Sequence, residues 1–266
     1  MMNDKRSIGI FDSGFGGLTV LSAIKKLLPN ENIVYFGDTA RVPYGNKSKR
    51  LIQDYSLQIS SFLLGKNVKL IVIGCNSATA LALDLLRKTF SIPIIGVIKA
   101  GAKNAIKKSL NHNIGIIGTV ATIKSRVYEN EIKMINSKVN IYSKACPLFV
   151  PLVENGWFSG DVVEKIIKHY LDPLIEREID TLVLGCTHYP LLKKAISDQY
   201  NVKLIDSAES IAREANLILE KNNIKKTDTI EGEVIFYVTD SPEKFEKTGS
   251  LFFTQKIKNI HLINEY

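Results

Sequence analysis

Along almost the whole chain, short runs of Val, Ile and Leu alternate with longer stretches whose apolar residues recur every three or four positions. The short runs predict strands at Ile8–Phe11, Ile33–Phe36, Leu70–Ile73, Ile92–Ile95, Ile114–Ile117, Val139–Tyr142, Leu182–Leu184, Val202–Ile205 and Val234–Val238. Their unbroken apolar character suits parallel strands covered on both faces. The intervening stretches predict amphipathic helices. One runs from about Asp161 to Arg177, with Val162, Val163, Ile166, Ile167, Tyr170, Leu171 and Leu174 on one side. Strand–helix alternation of this kind is an α/β pattern with mostly parallel sheets. No Pro/Gly/Ser-rich linker marks a domain boundary.

The pattern repeats weakly. Ile8-Gly-Ile-Phe-Asp-Ser-Gly14 resembles Ile114-Gly-Ile-Ile-Gly-Thr-Val120, and Ile71-Val-Ile-Gly-Cys-Asn76 resembles Leu182-Val-Leu-Gly-Cys-Thr187. The spacing from Gly9 to Cys75 nearly equals that from Gly115 to Cys186, as expected of a duplicated unit with small insertions. Two cysteines therefore occupy equivalent places in two similar halves.

Composition narrows the class. With 266 residues, 45% hydrophobic and 23% charged, the chain has an ordinary globular make-up and room for two small domains or one large one. Three cysteines are too few for a disulfide-stapled scaffold, and the odd count argues for reduced thiols. The opening Met-Met-Asn-Asp-Lys-Arg-Ser lacks the apolar core of a signal peptide, and no apolar run is long enough to span a bilayer, so a cytoplasmic location is expected. The net charge of +8 is scattered over short groups such as Lys107-Lys108 rather than gathered beside aromatics, which gives little support to nucleic-acid binding. It leaves a mild preference for acidic ligands.

In open parallel sheets ligands bind beyond the carboxyl ends of the strands. Asp12 and Ser13 fall there in the first half, as do Asp38 and the run Cys75, Asn76, Ser77. Thr119, Thr122, Cys186, Thr187 and His188 fall there in the second. If the halves face each other, both thiols enter one cleft. Each cysteine precedes an expected helix start, capped by Asn76 or Ser77 in one case and opened by Pro190 in the other. A helix N-terminus would draw a thiol below its usual ~8.5. Two opposed thiols suit a racemase, which removes a proton from one face of a carbon and returns one to the other. Such a pair titrates as a coupled system. Cys146 lacks both the pairing and the polar neighbours, and is expected in the core.

Other chemistries fit less well. Gly14-Phe-Gly-Gly17 begins like a dinucleotide-binding loop, but Thr19 stands where the third glycine is needed. Cys186 and His188 have no second ligand pair near them in sequence, so no metal is expected. A Cys/His hydrolase using His188 with either cysteine is the stronger competitor, but it leaves the duplicated thiol unexplained.

Several segments together resemble the bacterial glutamate racemases, within the aspartate/glutamate racemase family: Ile10-Phe-Asp-Ser-Gly-Phe-Gly-Gly-Leu-Thr-Val20, Gly37-Asp-Thr-Ala-Arg-Val-Pro-Tyr-Gly45, Gly74-Cys-Asn-Ser-Ala-Thr79, Cys146-Pro-Leu-Phe-Val-Pro-Leu-Val-Glu154 and Leu184-Gly-Cys-Thr-His-Tyr-Pro190. The resemblance implies two similar, pseudo-twofold-related α/β domains with the active site in the cleft between them. Residues 1–97 and 207–266 would form the first, and 98–206 the second. It implies cofactor-independent interconversion of L- and D-glutamate, supplying D-glutamate for peptidoglycan synthesis and so for the cell wall and cell shape, in a homodimer with no nucleic-acid or membrane partner. By motif, Cys75 and Cys186 would be the acid/base groups, assisted by Asp12 and His188. Asp12, Ser13, Tyr44, Gly45, Asn76, Ser77, Thr187 and His188 would hold substrate, and Thr119 and Thr122 would donate to its α-carboxylate. Asp38 would bind the ammonium group or brace Arg41, and Glu154 would contact substrate or pair locally. Ser77 stands where the family often has Thr, which preserves the hydroxyl. The related aspartate racemases typically carry an acidic residue at the position of His188, so His188 and Pro43-Tyr44-Gly45 favour glutamate. A closed cleft with little solvent is expected.

Overall fold

The computed structural model describes residues 3–253 and 255–264; residues 1, 2, 254, 265 and 266, which the expected first domain includes, lie outside the described residues. The first part of the chain runs β1 (Ile8–Asp12), α1 (Leu18–Leu27), β2 (Ile33–Gly37), α2 (Lys49–Gly65), β3 (Leu70–Ile73), α3 (Asn76–Thr89), β4 (Ile94–Gly96) and α4 (Val97–Lys108). The second runs β5 (Asn113–Gly118), α5 (Val120–Ser125), α6 (Val127–Ile135), β6 (Asn140–Ala145), α7 (Phe149–Glu154), α8 (Asp161–Ile175), β7 (Thr181–Gly185), α9 (Lys193–Ser197) and β8 (Lys203–Ile205). The chain then continues through α10 (Ala208–Lys221), β9 (Val234–Val238), α11 (Pro242–Gly249) and β10 (Ile260–Leu262).

Two parallel sheets result, in the orders β10-β9-β2-β1-β3-β4 and β6-β5-β7-β8. The orders β2-β1-β3-β4 and β6-β5-β7-β8 match, so the weak sequence repeat corresponds to one topology used twice. β1, β3 and β7 are buried along their whole length, as their unbroken apolar runs require. β4 begins at Ile94 rather than Ile92, because Pro93 has no N–H to offer the ladder; its carbonyl instead accepts from Ile71 N at 3.0 Å. β10 was not legible in the pattern: Ile-His-Leu is short and sits half-exposed at the sheet edge. In α8, Val163, Ile167, Tyr170, Leu171 and Leu174 are buried as expected. Val162 is not: it is 52% exposed, because it lies a quarter-turn from that stripe at the free start of the helix. No helix among the described residues is long and apolar enough to cross a membrane.

The C-terminal segment rejoins the first sheet. α10 packs along α1, and β9 pairs with β2 from Ile33↔Val234 to Gly37↔Val238. Buried charges hold this return in place. Glu31 Oε2 lies 2.6 Å from Lys69 Nζ, while its Oε1 accepts from the Lys226 amide at 2.8 Å. Lys69 also donates to Asp4 O at 2.8 Å, and Lys25 donates to the carbonyls of Pro29 and Gly232. Gly232 passes so close to the Glu31 backbone that a Cβ there would lie 1.9 Å from its carbonyl oxygen.

Removing one partner of a buried ion pair leaves the other charge uncompensated. Lys69→Met is therefore expected to cost about 3–5 kcal/mol in urea unfolding, and Lys69→Met with Glu31→Gln to recover most of it.

Candidate active site

Both cysteines sit where a β-strand ends. β3 delivers Cys75, which occupies the cap position of α3; Asn76 and Ser77 form its first turn, so neither is the cap that the sequence suggested. β7 delivers Cys186, followed by a tight turn over Tyr189–Leu192 with Pro190 in it, and only then by the short α9. The second thiol therefore does not abut an α-helix start.

On the Cys75 side, the thiol lies 3.8 Å from Ser13 Oγ. Asp12, at the end of β1, is fully buried; its Oδ2 accepts from Gly14 N at 2.9 Å and its Oδ1 accepts across the cleft from Thr187 Oγ1 at 3.5 Å. On the Cys186 side, Sγ lies 3.8 Å from His188 Nδ1, and His188 Nε2 lies 3.1 Å from Glu154 Oε1. Phe252, from the returning C-terminal segment, packs edge-on against the His188 ring.

The two halves meet through hydroxyls and glycines. Ser77 Oγ of α3 lies 2.9 Å from Thr119 Oγ1 and 3.4 Å from Thr122 Oγ1, and Thr119 accepts from Thr122 N at 3.2 Å as it caps α5. A Cβ on Gly16 would lie 2.2 Å from Thr187 Oγ1 and 2.7 Å from His188 Nδ1, and one on Gly45 would lie 2.7 Å from Thr119 Cβ. No side chain fits at either crossing.

Cys75 and Cys186 line one cavity of about 20 Å³, together with Ser13, Tyr44, Gly45, Asn76, Ser77, Thr119, Thr187 and His188. That is room for about one water. Val42, Pro43 and Val150 complete the wall; Pro43 lies in the segment that favours glutamate, whereas the apolar character of Val42 and Val150 gave no sign of contact with a ligand. The other expected site residues stand one bond behind the wall. Asp12 and Thr122 hold Thr187 and the Ser77–Thr119 pair, and Glu154 holds His188. Asp38 accepts from Tyr44 and, at 3.0 Å, from Thr239, and lies 3.7 Å from Arg41 Nε. It thus braces the Tyr44 turn and Arg41 rather than facing the cavity. An outer cavity of about 180 Å³ shares Pro43, Gly45, Thr119 and Val150 with the inner one. Cys146 is buried, its thiol 3.7 Å from the Lys144 carbonyl.

Burial dominates the electrostatics. Cys75 is pushed up to about 12, first by burial and then by the Asp12 charge; the Ala78 amide and Ser13 pull the other way without prevailing. The expected lowering by the helix start is thus reversed, because removing a thiolate from water outweighs one helix terminus. Burial likewise raises Asp12, against the nearby His188 charge and the amides of residues 13, 14 and 17. For His188, burial works against the charged form, but hydrogen bonds to Cys186 and Glu154 outweigh it and raise the ring to about 10. The proton is thus favoured on Cys75 on one side and on His188, beside Cys186, on the other. Among the described residues no group of three or more His, Cys, Asp or Glu side chains is arranged to hold a metal ion.

Comparison with known proteins bears on the family and the fold. The sequence model of the family described as Asp/Glu/Hydantoin racemase matches residues 8–215. A glutamate racemase of Geobacter metallireducens is 46% identical over 261 residues, 97% of each chain. One from a Sulfurihydrogenibium species is 48% identical, covering 94% of this chain and 96% of its own. The crystal structure of glutamate racemase from Francisella tularensis in complex with D-glutamate superposes with a TM-score of 0.93 at 40% identity, over 98% of both chains.

The raised His188 value has a consequence for stability. The native state binds this proton more tightly than the unfolded chain, whose histidine titrates near 6.5. The stability it confers is complete below about 6.5 and is lost as pH rises through about 10. The urea midpoint is expected to fall across that window, and His188→Asn to flatten the fall; equal slopes would contradict the assignment.

Proposed function

The chain belongs to the Asp/Glu/Hydantoin racemase family and is an amino-acid racemase, an isomerase; on that footing we propose that it interconverts L- and D-glutamate by two-base catalysis, with Cys75 and Cys186 on opposite faces of the α-carbon. The observation that carries this reading is that the two thiols, each at the end of the corresponding strand of two matching sheets, line one cavity. The names of the relatives support glutamate as substrate, and the product would feed peptidoglycan synthesis in the cytoplasm.

One cysteine, as thiolate, takes the α-proton while the other, as thiol, gives a proton to the opposite face; for the reverse direction the roles exchange. The burial of Cys75 and the charge of Asp12 keep that thiol a donor until a proton is demanded of it. The His188 imidazolium, oriented by Glu154, is the counter-charge a thiolate at Cys186 needs. Asp12 and His188 stand as the groups that relay or balance the proton beside each thiol. Ser13, Tyr44, Gly45, Asn76, Ser77 and Thr187 hold the substrate, and Thr119, backed by Thr122, donates to its α-carboxylate. The α-proton is weakly acidic, so donors preorganised around that carboxylate and the exclusion of water must stabilise the developing negative charge. A cavity of about 20 Å³ admits no amino acid, so residues 1–97 with 207–266, as one domain, and 98–206, as the other, part to let substrate enter.

The test is racemisation of L-glutamate and L-aspartate side by side, with no cofactor added. Glutamate is expected to be the better substrate, and Cys75→Ala or Cys186→Ala is each expected to lower kcat by roughly 10²–10⁴-fold. Full activity in Cys75→Ala would instead leave Cys186, His188 and Glu154 as a hydrolase-like trio, and preference for aspartate would reassign the substrate.

A further inference from the structure

The residue after Cys75 has a partner that its neighbours in sequence do not reveal. Asn76 lines the catalytic cavity, and its Oδ1 accepts from Tyr128 Oη at 2.8 Å. Tyr128 belongs to α6, in the other half of the molecule, and is 2% exposed. Its hydroxyl also lies 3.3 Å from Ser207 Oγ, at the start of α10, where the chain returns to the first sheet. Tyrosine has one hydroxyl proton. With that proton given to Asn76, the Ser207 hydroxyl donates to Tyr128, and the chain Ser207→Tyr128→Asn76 has a fixed direction. Ser207 does not use its side chain to cap α10, which leaves its hydroxyl free for this role.

The surroundings are shaped for the same contact. A Cβ on Gly101 of α4 would lie 2.7 Å from Ser207 Oγ and 3.1 Å from Tyr128 Oη, and one on Gly185 would lie 3.2 Å from the Tyr128 ring. Two backbone segments therefore press against the tyrosine where any side chain would displace it. The consequence for Asn76 is chemical. An amide that turns its oxygen to Tyr128 turns its NH₂ the other way, and no hydrogen bond engages Nδ2 among the described residues. N–H donors of this kind suit a carboxylate, whereas a flipped amide would offer a carbonyl oxygen and repel it.

We propose that Tyr128 is a positioning residue that fixes the Asn76 amide with its N–H donors toward the cavity, and so ties substrate carboxylate binding in one half to closure against the other. This rests on the glutamate racemase reading of the site. Tyr128 touches neither thiol and takes no part in proton transfer.

The test is a double-mutant cycle of Tyr128→Phe and Asn76→Ala, read by KM and kcat in both directions together with urea unfolding. Tyr128→Phe is expected to raise KM for both enantiomers about tenfold, the effect of losing one hydrogen bond and the amide orientation it sets, with kcat changed less than about threefold. In the Asn76→Ala background the same substitution is expected to change KM less than about twofold. Gly101→Ala, whose Cβ presses on Ser207 and Tyr128, is expected to repeat the KM increase. An unchanged KM in Tyr128→Phe, or an equal increase with and without Asn76, overturns the proposal; a merely structural role would lower stability without this coupling. The Asn76 side-chain amide resonances, assigned by their loss in Asn76→Ala, report orientation without turnover. They are expected to shift and broaden in Tyr128→Phe, and unchanged resonances overturn the proposal even if the wild-type enzyme proves to act on another amino acid.

Discussion

The catalytic geometry depends on backbone approaching side chain with nothing between. At Gly16 the first half comes against Thr187 and His188 of the second, and at Gly45 it comes against Thr119. These contacts set how near the two cysteines stand and how little water remains beside them. The hydroxyl cluster of Ser77, Thr119 and Thr122 and the Asp12–Thr187 contact cross the same seam, so closure also assembles the polar wall. A duplicated sheet supplies two equivalent thiols, but only close approach turns them into one site.

Closure also gives two chemically identical groups different surroundings. Cys75 lies in a fully desolvated position beside a buried carboxylate, and both effects hold its proton. Cys186 faces His188, whose ring burial would lower but hydrogen bonds to Cys186 and to Glu154 raise; Glu154 is partly open to solvent. The two sides of the cavity are therefore unlike: a buried carboxylate stands near one thiol and a histidine–glutamate pair near the other.

Much of this was legible in the chain because parallel strands are buried on both faces and so read as unbroken apolar runs. Nine such runs correspond to strands, and the matched Gly-Cys segments mark the corresponding strand ends. What escaped notice had no local signal. β10 is a three-residue edge strand; Val42 and Val150 reach the cavity through apolar surface; Tyr128 reaches Asn76 from an ordinary amphipathic helix. The upward shift of Cys75 is hidden in the same way, since a helix start is visible in sequence whereas the depth of burial is not. Asp38 shows the same limit, since only the fold reveals that Tyr44, Thr239 and Arg41 engage its carboxylate.

The two-thiol mechanism makes a specific demand on where solvent hydrogen goes. In D₂O both thiols exchange before substrate binds, so the cysteine that protonates the far face delivers deuterium, while the cysteine that removed the α-proton still carries protium. Initial-rate analysis of L-glutamate turnover by mass spectrometry and chiral separation is the direct measurement. Two opposed bases predict D-glutamate fully deuterated at the α-carbon while recovered L-glutamate remains protiated. Product that retains the substrate's own proton, or deuterium entering recovered L-glutamate as fast as it enters product, would contradict opposed catalysis by Cys75 and Cys186.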